Sequence, residues 1–186
     1  MNVDGALIAR ELKASLRSRV AKLGRRLVLS VVVAEETRAI RTFVERKRVF
    51  GADIGVDVQV TQLNKLQQRT EDLLQLVLRL SRESDGLVVQ LPLPRELDLD
   101  SVLRLFPLTH DVDVLGHIAY EQYREGVLPF DPPVVGAMAE ILHRQGVRLA
   151  GKRVLVIGEG RLVGGPAAIW AKRFGAIVQV VNKETQ

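Results

Sequence analysis

Apolar residues recur along the chain in two alternating patterns. Between residues 6 and 23 they recur at three- and four-residue steps, which predicts an amphipathic helix that ends at Gly24. Residues 27–34 form a short, continuous, valine-rich run, which is typical of a strand buried on both faces. The same alternation predicts further helices at 37–50, 70–80, 98–106, 133–145 and 166–174, and further strands at 56–60, 87–91, 151–157 and 176–181.

Strands that alternate with helices predict an α/β fold with a largely parallel sheet. Thr37 is placed to cap the second helix, and Gly51 and Gly55 are expected to end it. Pro92 is expected to end the third strand, because proline has no N–H to donate to a sheet. Residues 107–133 are rich in Pro, Gly, Asp and His and show little periodicity, so we predict a loop that forms part of a site.

The composition is that of a globular protein, with 47% hydrophobic and 26% charged residues among 186. Cysteine is absent and the three histidines lack metal-ligand spacing, so we expect neither disulfides nor a metal site. The longest apolar run is far shorter than the roughly 20 residues that span a bilayer, and no secretion signal is evident, so we expect a soluble cytoplasmic protein without membrane contact. The net charge of +5 does not indicate nucleic-acid binding, because most basic residues alternate with acids on predicted helices.

A glycine-rich turn joins the strand predicted at 151–157 to the helix predicted at 166–174. Its spacing, G-x-G-x-x-x-G, is one residue longer than the common dinucleotide fingerprint, in which glycines let the backbone approach a pyrophosphate at the start of a helix. An ordinary strand-to-helix turn is the alternative interpretation. The candidate cofactor-binding residues are Gly158, Gly160, Arg161, Leu162, Val163 and Gly164.

The end of the next strand bears on the choice between NAD and NADP. An acidic residue there holds the ribose hydroxyls of NAD, whereas this sequence has Lys183, which suits the 2′-phosphate of NADP. Glu159, inside the turn, would repel that phosphate. A solvated lysine without a ligand is the alternative interpretation of Lys183.

Five groups of residues occur in an order that resembles one known family. They are V-D-G-A-L-I-A at 3–9, F-V-E-R-K at 43–47, D-G-L-V-V-Q-L-P-L-P at 85–94, D-V-D at 111–113, and the pair G-K-R-V at 151–154 and L-V-G-G-P at 162–166. In this order they resemble the motifs of the methylenetetrahydrofolate dehydrogenase/methenyltetrahydrofolate cyclohydrolase family. The resemblance covers essentially the whole chain.

The resemblance implies a two-domain α/β enzyme. An amino-terminal three-layer catalytic domain with a parallel sheet is expected at 1–125, and 126–186 would be the linking helix and the first half of a Rossmann-type NAD(P)-binding domain. The implied reactions are oxidation of 5,10-methylenetetrahydrofolate, with NADP as cofactor and NAD as the alternative, and hydrolysis of the methenyl product to 10-formyltetrahydrofolate. A homodimer is expected. Because family members continue beyond the second strand of the cofactor domain, we expect this chain to bind the nucleotide poorly.

By motif position, the resemblance implies three catalytic residues. Lys47 would manage a proton of the attacking water, Gln90 would hydrogen-bond Lys47, and Asp113 would accept hydrogen bonds from pterin N–H groups. Without the resemblance, Lys47 reads as a solvated lysine and Asp113 as a turn residue. The further substrate-binding candidates are Phe43, Leu91 and Pro92.

Three departures from the family motifs bear on function. Phe43 replaces a tyrosine, which keeps an aromatic ring but removes a hydroxyl that helps to relay a proton, so this change concerns the hydrolysis more than the hydride transfer. Val114 replaces a glycine, so the backbone is expected not to adopt a positive φ and the pterin loop is expected to shift. Glu159 lies where many members have arginine, which argues against NADP. A non-catalytic folate- or nucleotide-binding member of the family is therefore the alternative.

Overall fold

The computed structural model describes residues 2–63 and 69–183. The chain divides into two compact units, Met1–Asp111 and Val112–Gln186. This division falls before the boundary predicted after residue 125, so residues 112–125 belong to the second unit. The assignment of folate to one domain and of a nucleotide to the other stays a prediction.

Three parallel strands form the sheet of the first unit, in the order β2-β1-β3. Their bounds are Leu27–Val33 for β1, Val56–Gln62 for β2 and Gly86–Gln90 for β3. The helices of this unit are α1 (Gly5–Lys22), α2 (Arg38–Ile54), α3 (Thr70–Glu83) and α4 (Leu99–Leu105), and a single 3₁₀ turn covers Leu108–His110. The predicted α/β class and parallel sheet are confirmed.

The sheet of the first unit is covered on both faces, because successive residues of a strand point to opposite sides. One face packs against α2, and α1 in turn packs on α2. The core on this side is formed by Val31, Val33, Val88, Ile40 and Val44. Val32 and Val89 point to the other face and are equally buried, and α3 packs there against β1 and β3, with α4 on α3. The first unit therefore has the three layers that were expected.

Helix α2 begins as predicted and ends later than predicted. Thr37 caps it, since its Oγ1 accepts a hydrogen bond of 3.2 Å from the backbone N–H of Ile40. The prediction that Gly51 ends the helix is wrong, because the helix continues to Ile54. A side chain at Gly51 would overlap Val58 of β2, so glycine permits close packing of the helix on the strand. Gly55, with φ of +87°, ends the helix instead.

Two polar residues of the first unit bear on its stability. Asp85 accepts hydrogen bonds from the backbone N–H of Val28 at 2.9 Å and from Arg25 at 2.6 Å, and so ties the start of β3 to the start of β1. The hydrogen bond from the Val28 N–H, and after it the one from Arg25, hold the pKa of the Asp85 carboxyl below its usual value. Ser30, in the middle of β1, is 1% exposed, and its hydroxyl has no hydrogen-bond partner among the residues that the structure describes.

The second unit contains two parallel strands and three helices in its described part. Their bounds are α5 His117–Glu125, α6 Pro133–Arg144, β4 Arg153–Ile157, α7 Gly164–Arg173 and β5 Ile177–Val181. Helix α7 packs against both strands, and α6 packs on α7. The strands alternate between half-buried residues on the α7 side and exposed residues on the other, where Ile157 is 82% exposed. Within the described ranges, no helix is long and apolar enough to cross a membrane.

The segment 107–133 is not the continuous loop that we predicted. It contains the 3₁₀ turn and helix α5, which has nine residues. Ala119 and Tyr123, four residues apart, bury one face of α5, and Gly126 ends the helix with φ of +76°. A helix of two and a half turns offers too few positions for its period to be recognised among Pro, Gly and Asp residues.

Candidate active site

Lys47 and Gln90 meet on the face of the first sheet that α2 covers. Lys47 follows Ile40 and Val44 at helical spacing on the inner face of α2, so its side chain is half-buried. Gln90 is the last residue of β3 and points to the same face as Val88. The Lys47 Nζ donates to Gln90 Oε1 at 3.2 Å, which is the contact that the motifs implied. The structure brings together these two residues, which are 43 positions apart.

The amide of Gln90 is fixed at both ends. Its carbonyl oxygen accepts from Lys47, and its Nε2 donates to the backbone carbonyl of Leu91 at 3.2 Å. Both hydrogen bonds require one orientation of the amide, so the amino group of Lys47 has a defined, uncharged acceptor. This arrangement suits a lysine that exchanges a proton with a bound molecule.

The pair lies at the carboxyl edge of the sheet, beside the end of β1, since Gln90 is in register with Val33. The chain leaves β1 toward α2 on one face, and it leaves β3 toward α4, which packs with α3 on the other face. Connections that leave neighbouring parallel strands toward opposite faces open a crevice between them, and ligands of open α/β sheets bind in such crevices. The topology therefore places Lys47 and Gln90 where a ligand is expected.

The other candidates of the first unit flank this pair. Phe43 lies one helical turn before Lys47 on α2 and is 54% exposed, which leaves its ring available for stacking. Leu91 directly follows Gln90 and is half-buried, and Pro92 is exposed. The Leu91–Pro92 peptide bond is cis. An exposed aromatic ring and a short apolar segment on either side of a polar pair can hold a flat, conjugated ligand.

Asp113 belongs to the second unit, where it is half-buried two residues before the buried Leu115. The expectation for Val114 is wrong: its φ is +56°, in the left-handed region, although it is β-branched and only 1% exposed. The segment thus keeps the backbone conformation that glycine would permit, and the surrounding packing compensates for the strain.

The glycine-rich turn has the close backbone packing that a pyrophosphate site needs. Gly158, with φ of +87°, donates its N–H to the carbonyl of Val181 at 2.7 Å, which ties the turn to the end of β5. A side chain at Gly164 would overlap the carbonyl of Gly158, so the start of α7 can approach β4 only with glycine there. Space around Gly160 is open, since an added Cβ would meet no atom within 4 Å. These residues fit a dinucleotide pyrophosphate.

The remaining turn candidates differ in what they can offer to a ligand. Leu162 is half-buried and Val163 is exposed just before α7. Glu159 is also exposed, and Lys183 is exposed after β5. The lysine suits the 2′-phosphate of NADP, whereas the glutamate would repel it. Arg161 is half-buried and points toward the segment that precedes α5. Its Nε donates to the carbonyl of Leu115 in that segment at 2.6 Å.

Two tyrosines that the sequence analysis did not single out lie beside the turn. The Arg161 guanidinium carbon is 4.6 Å from the centroid of the Tyr120 ring. Burial is the main cause that raises the pKa of the hydroxyl in both Tyr120 and Tyr123. Tyr123 donates from its hydroxyl to the carbonyl of Pro166 at 3.3 Å. These are the two tyrosines of the chain, and their spacing of three residues would have indicated a shared helical face had α5 been predicted.

No group of three or more His, Asp and Glu side chains that could hold a metal ion occurs in residues 2–63 and 69–183. His110 is half-buried, and its Nδ1 lies 2.9 Å from the hydroxyl of the neighbouring Thr109. His117 begins α5, and His143 is exposed near the end of α6.

Comparisons with known proteins agree with these features. A sequence model of the family "Tetrahydrofolate dehydrogenase/cyclohydrolase, catalytic domain" matches residues 3–113. The chain is 31% identical to the bifunctional protein FolD of Bdellovibrio bacteriovorus, over 98% of this chain and 65% of that protein. It is 32% identical to FolD of Halothermothrix orenii, over 98% and 67%. The crystal structure of the Trypanosoma brucei N5,N10-methylenetetrahydrofolate dehydrogenase-cyclohydrolase, complexed with NADP and an inhibitor, matches with a TM-score of 0.91 and 31% identity, over 100% of this chain and 65% of that one.

Proposed function

The chain belongs to the tetrahydrofolate dehydrogenase/cyclohydrolase family, and on that premise we propose that it carries the folate-converting site of a bifunctional enzyme. The proposed reactions are oxidation of 5,10-methylenetetrahydrofolate to the 5,10-methenyl compound and hydrolysis of that compound to 10-formyltetrahydrofolate. The chain spans 65% and 67% of the length of the two FolD relatives, so the activity proposed is that of the whole protein.

One observation carries this proposal: the 3.2 Å hydrogen bond between Lys47 and Gln90 at the carboxyl edge of the sheet. A half-buried lysine on the inner face of a helix costs free energy unless its head has a partner, and here the partner is a neutral amide. A structural ion pair would have used a carboxylate. Lys47 forms no salt bridge with any residue in 2–63 and 69–183, and a glutamine partner leaves its amino group able to exchange a proton with a ligand.

We propose that Lys47 transfers the proton in the hydrolysis. The methenyl carbon is already electrophilic, so water forms a bond to it, one proton of the water leaves, and the bond from that carbon to N5 then breaks as N5 is protonated. Lys47, as a neutral amine oriented by Gln90, would accept the first proton and return it to N5. The remaining hydroxyl proton is released to solvent as the formyl C=O forms, so the cationic methenyl compound and water give neutral 10-formyltetrahydrofolate and one free proton. Phe43 lacks the hydroxyl of a tyrosine, so the lysine has to exchange these protons without help from that side chain.

Aromatic, apolar and acidic side chains are proposed to hold the folate itself. Phe43 would stack on the aminobenzoyl ring, while Leu91 and Pro92 would line the adjacent wall. Asp113 would accept hydrogen bonds from the pterin N–H groups, for which a carboxylate provides two oxygens in one plane. Each of these roles is part of the proposal.

For the oxidation, a dinucleotide accepts the hydride from the methylene carbon when it is bound. We propose that Gly158, Gly160 and Gly164 let the backbone approach its pyrophosphate, since the turn fits that group. NADP is the first candidate, because Lys183 suits a 2′-phosphate and the Trypanosoma brucei enzyme was solved with NADP. NAD is the alternative because of Glu159. Leu162 and Val163 are proposed contacts of the same turn, and a homodimer is proposed from the family resemblance.

The proposal is tested by replacing Lys47 with methionine, which keeps the length of the side chain and removes its proton chemistry. The matched control is Arg46→Met, an exposed cation at the preceding position of α2. We expect Lys47→Met to lower the rate of methenyltetrahydrofolate hydrolysis by about 10²–10⁴-fold, measured by the loss of methenyl absorbance, and the control to retain the rate. Full activity of Lys47→Met would refute the role of the lysine. A wild-type protein that binds tetrahydrofolate without turnover would favour the non-catalytic alternative.

A further inference from the structure

Arg161 lies in the glycine-rich turn, yet its side chain contacts the segment that precedes and includes α5. Its Nε donates to the carbonyl of Leu115 at 2.6 Å, and its guanidinium lies over the ring of Tyr120 at 4.6 Å. The stacking on Tyr120 and the hydrogen bond to the carbonyl of Leu115 together fix the orientation of the guanidinium. The half-buried arginine is thus directed to the protein rather than to the solvent around the turn.

The carbonyl that accepts from Arg161 belongs to the strained segment. Val114 directly precedes Leu115, has φ of +56° and is 1% exposed. A β-branched residue keeps this conformation only where the surroundings determine it, and such strain often occurs at ligand sites. Asp113, the proposed pterin ligand, is the residue before Val114. Only Val114 therefore separates Asp113 from the residue whose carbonyl holds Arg161.

The other partner of Arg161 reaches the start of α7. The Tyr120 hydroxyl lies against Gly165, where an added Cβ would be 2.5 Å from the hydroxyl oxygen. Gly165 is in the first turn of α7, directly after Gly164, which is proposed to lie near the pyrophosphate, and its N–H donates to the carbonyl of Gly160 at 3.1 Å. Tyr120 therefore touches both the arginine of the turn and the first residues of the helix that the turn begins.

We propose that Arg161 is a positioning residue that couples the pterin loop at Asp113 to the dinucleotide turn, through the carbonyl of Leu115 and the ring of Tyr120. This inference rests on the proposed function, because it concerns the two ligand sites of that function. Arg161 is then not a ligand of the nucleotide phosphates. Coupling of this kind is reciprocal, so each ligand binds more tightly when the other is present, by the same factor.

The test measures that factor by calorimetry on the full chain. Dissociation constants are determined for NADP with and without saturating tetrahydrofolate, and for tetrahydrofolate with and without NADP; NAD replaces NADP if NADP does not bind. We expect a coupling factor of about fivefold or more in the wild type. In Arg161→Met the factor should fall to about one, whereas in the control Arg153→Met, which removes an exposed cation at the start of β4, it should stay at the wild-type value.

Two tyrosine variants keep the proposal falsifiable if Arg161→Met does not fold. Tyr120→Phe keeps the ring beneath Arg161 and removes only the hydroxyl that lies against Gly165, so it should lower the coupling factor less than Tyr120→Leu, which removes both. The proposal is overturned if both ligands bind and the wild-type coupling factor is one. It is also overturned if Arg161→Met weakens NADP binding equally with and without tetrahydrofolate, because Arg161 would then be a direct ligand of the nucleotide. Failure of the wild type to bind tetrahydrofolate at all would instead refute the proposed function.

Discussion

Val114 allows a test of the left-handed backbone described above. Its buried side chain stabilises the fold, whereas its positive φ destabilises it. The residue is 1% exposed, so any truncation removes packing, at about 0.8 kcal/mol for each buried methylene-sized group. Its φ of +56° is unfavourable for every residue that carries a Cβ. Comparing Val114→Gly with Val114→Ala largely cancels the packing loss and isolates the cost of the backbone conformation.

The magnitude follows from two opposing effects. A residue with a Cβ in the left-handed region costs about 1–2 kcal/mol, which alanine retains and glycine avoids. Glycine loses about 0.5–1 kcal/mol more conformational entropy on folding than alanine. We therefore expect Val114→Gly to be more stable than Val114→Ala by about 0.5–1 kcal/mol, although both are less stable than the wild type.

Val135 supplies the control, since it is fully buried in α6 of the same unit and has no positive φ. Val135 lies in the first turn of α6, where glycine is less stable than alanine by up to about 1 kcal/mol, so the order of the two variants at position 135 should be reversed. Free energies of unfolding from urea titrations measure both pairs. If Val114→Gly were less stable than Val114→Ala by the same margin as at position 135, the left-handed conformation of Val114 would be refuted.

Two further predictions concern polar groups of the first unit. Ser30→Ala should raise the free energy of unfolding by about 1 kcal/mol, because the buried hydroxyl has no partner among the described residues; a loss of stability in urea titrations would contradict this. Asp85→Asn should lower the free energy of unfolding by about 0.5–1 kcal/mol at pH 7 through the weaker bond to the Val28 N–H, because solvent screens the exposed carboxylate. Because the folded pKa of Asp85 is below the unfolded value, its contribution is present above about pH 4 and is lost as the pH falls through the folded pKa, so wild type and variant should converge at low pH. A difference that is independent of pH would show that the ionised carboxylate is not the stabilising form.

The parts of the fold that could be predicted are those that local patterns determine. The valine-rich run at 27–34 and the cap at Thr37 depend on neighbouring residues only, and both agree with the structure. The contact between Lys47 and Gln90 was reached through the family motifs, because residues 43 positions apart leave no sign of their contact in periodicity. The prediction that Gly51 ends α2 was wrong because this glycine is required for packing against Val58, which lies on another element.

The organisation of the second unit was harder to predict for the same reason. A glycine-rich turn is recognised from its own spacing, so Gly158 and Gly164 were found. The direction of Arg161 depends on Leu115 and Tyr120, which precede it by some 40 residues or more and lie in a segment that was predicted to be a loop.

The strain at Val114 and the direction of Arg161 have one physical origin. A left-handed residue reverses the local path of the backbone, and here the carbonyl that follows it is the acceptor of the arginine. A glycine at position 114 would permit the same φ without cost, but it would also permit many others. Valine, once packed to 1% exposure, restricts the segment to one conformation and so fixes the acceptor of Arg161. Restriction of the loop to one backbone conformation is thus the consequence of valine at this position.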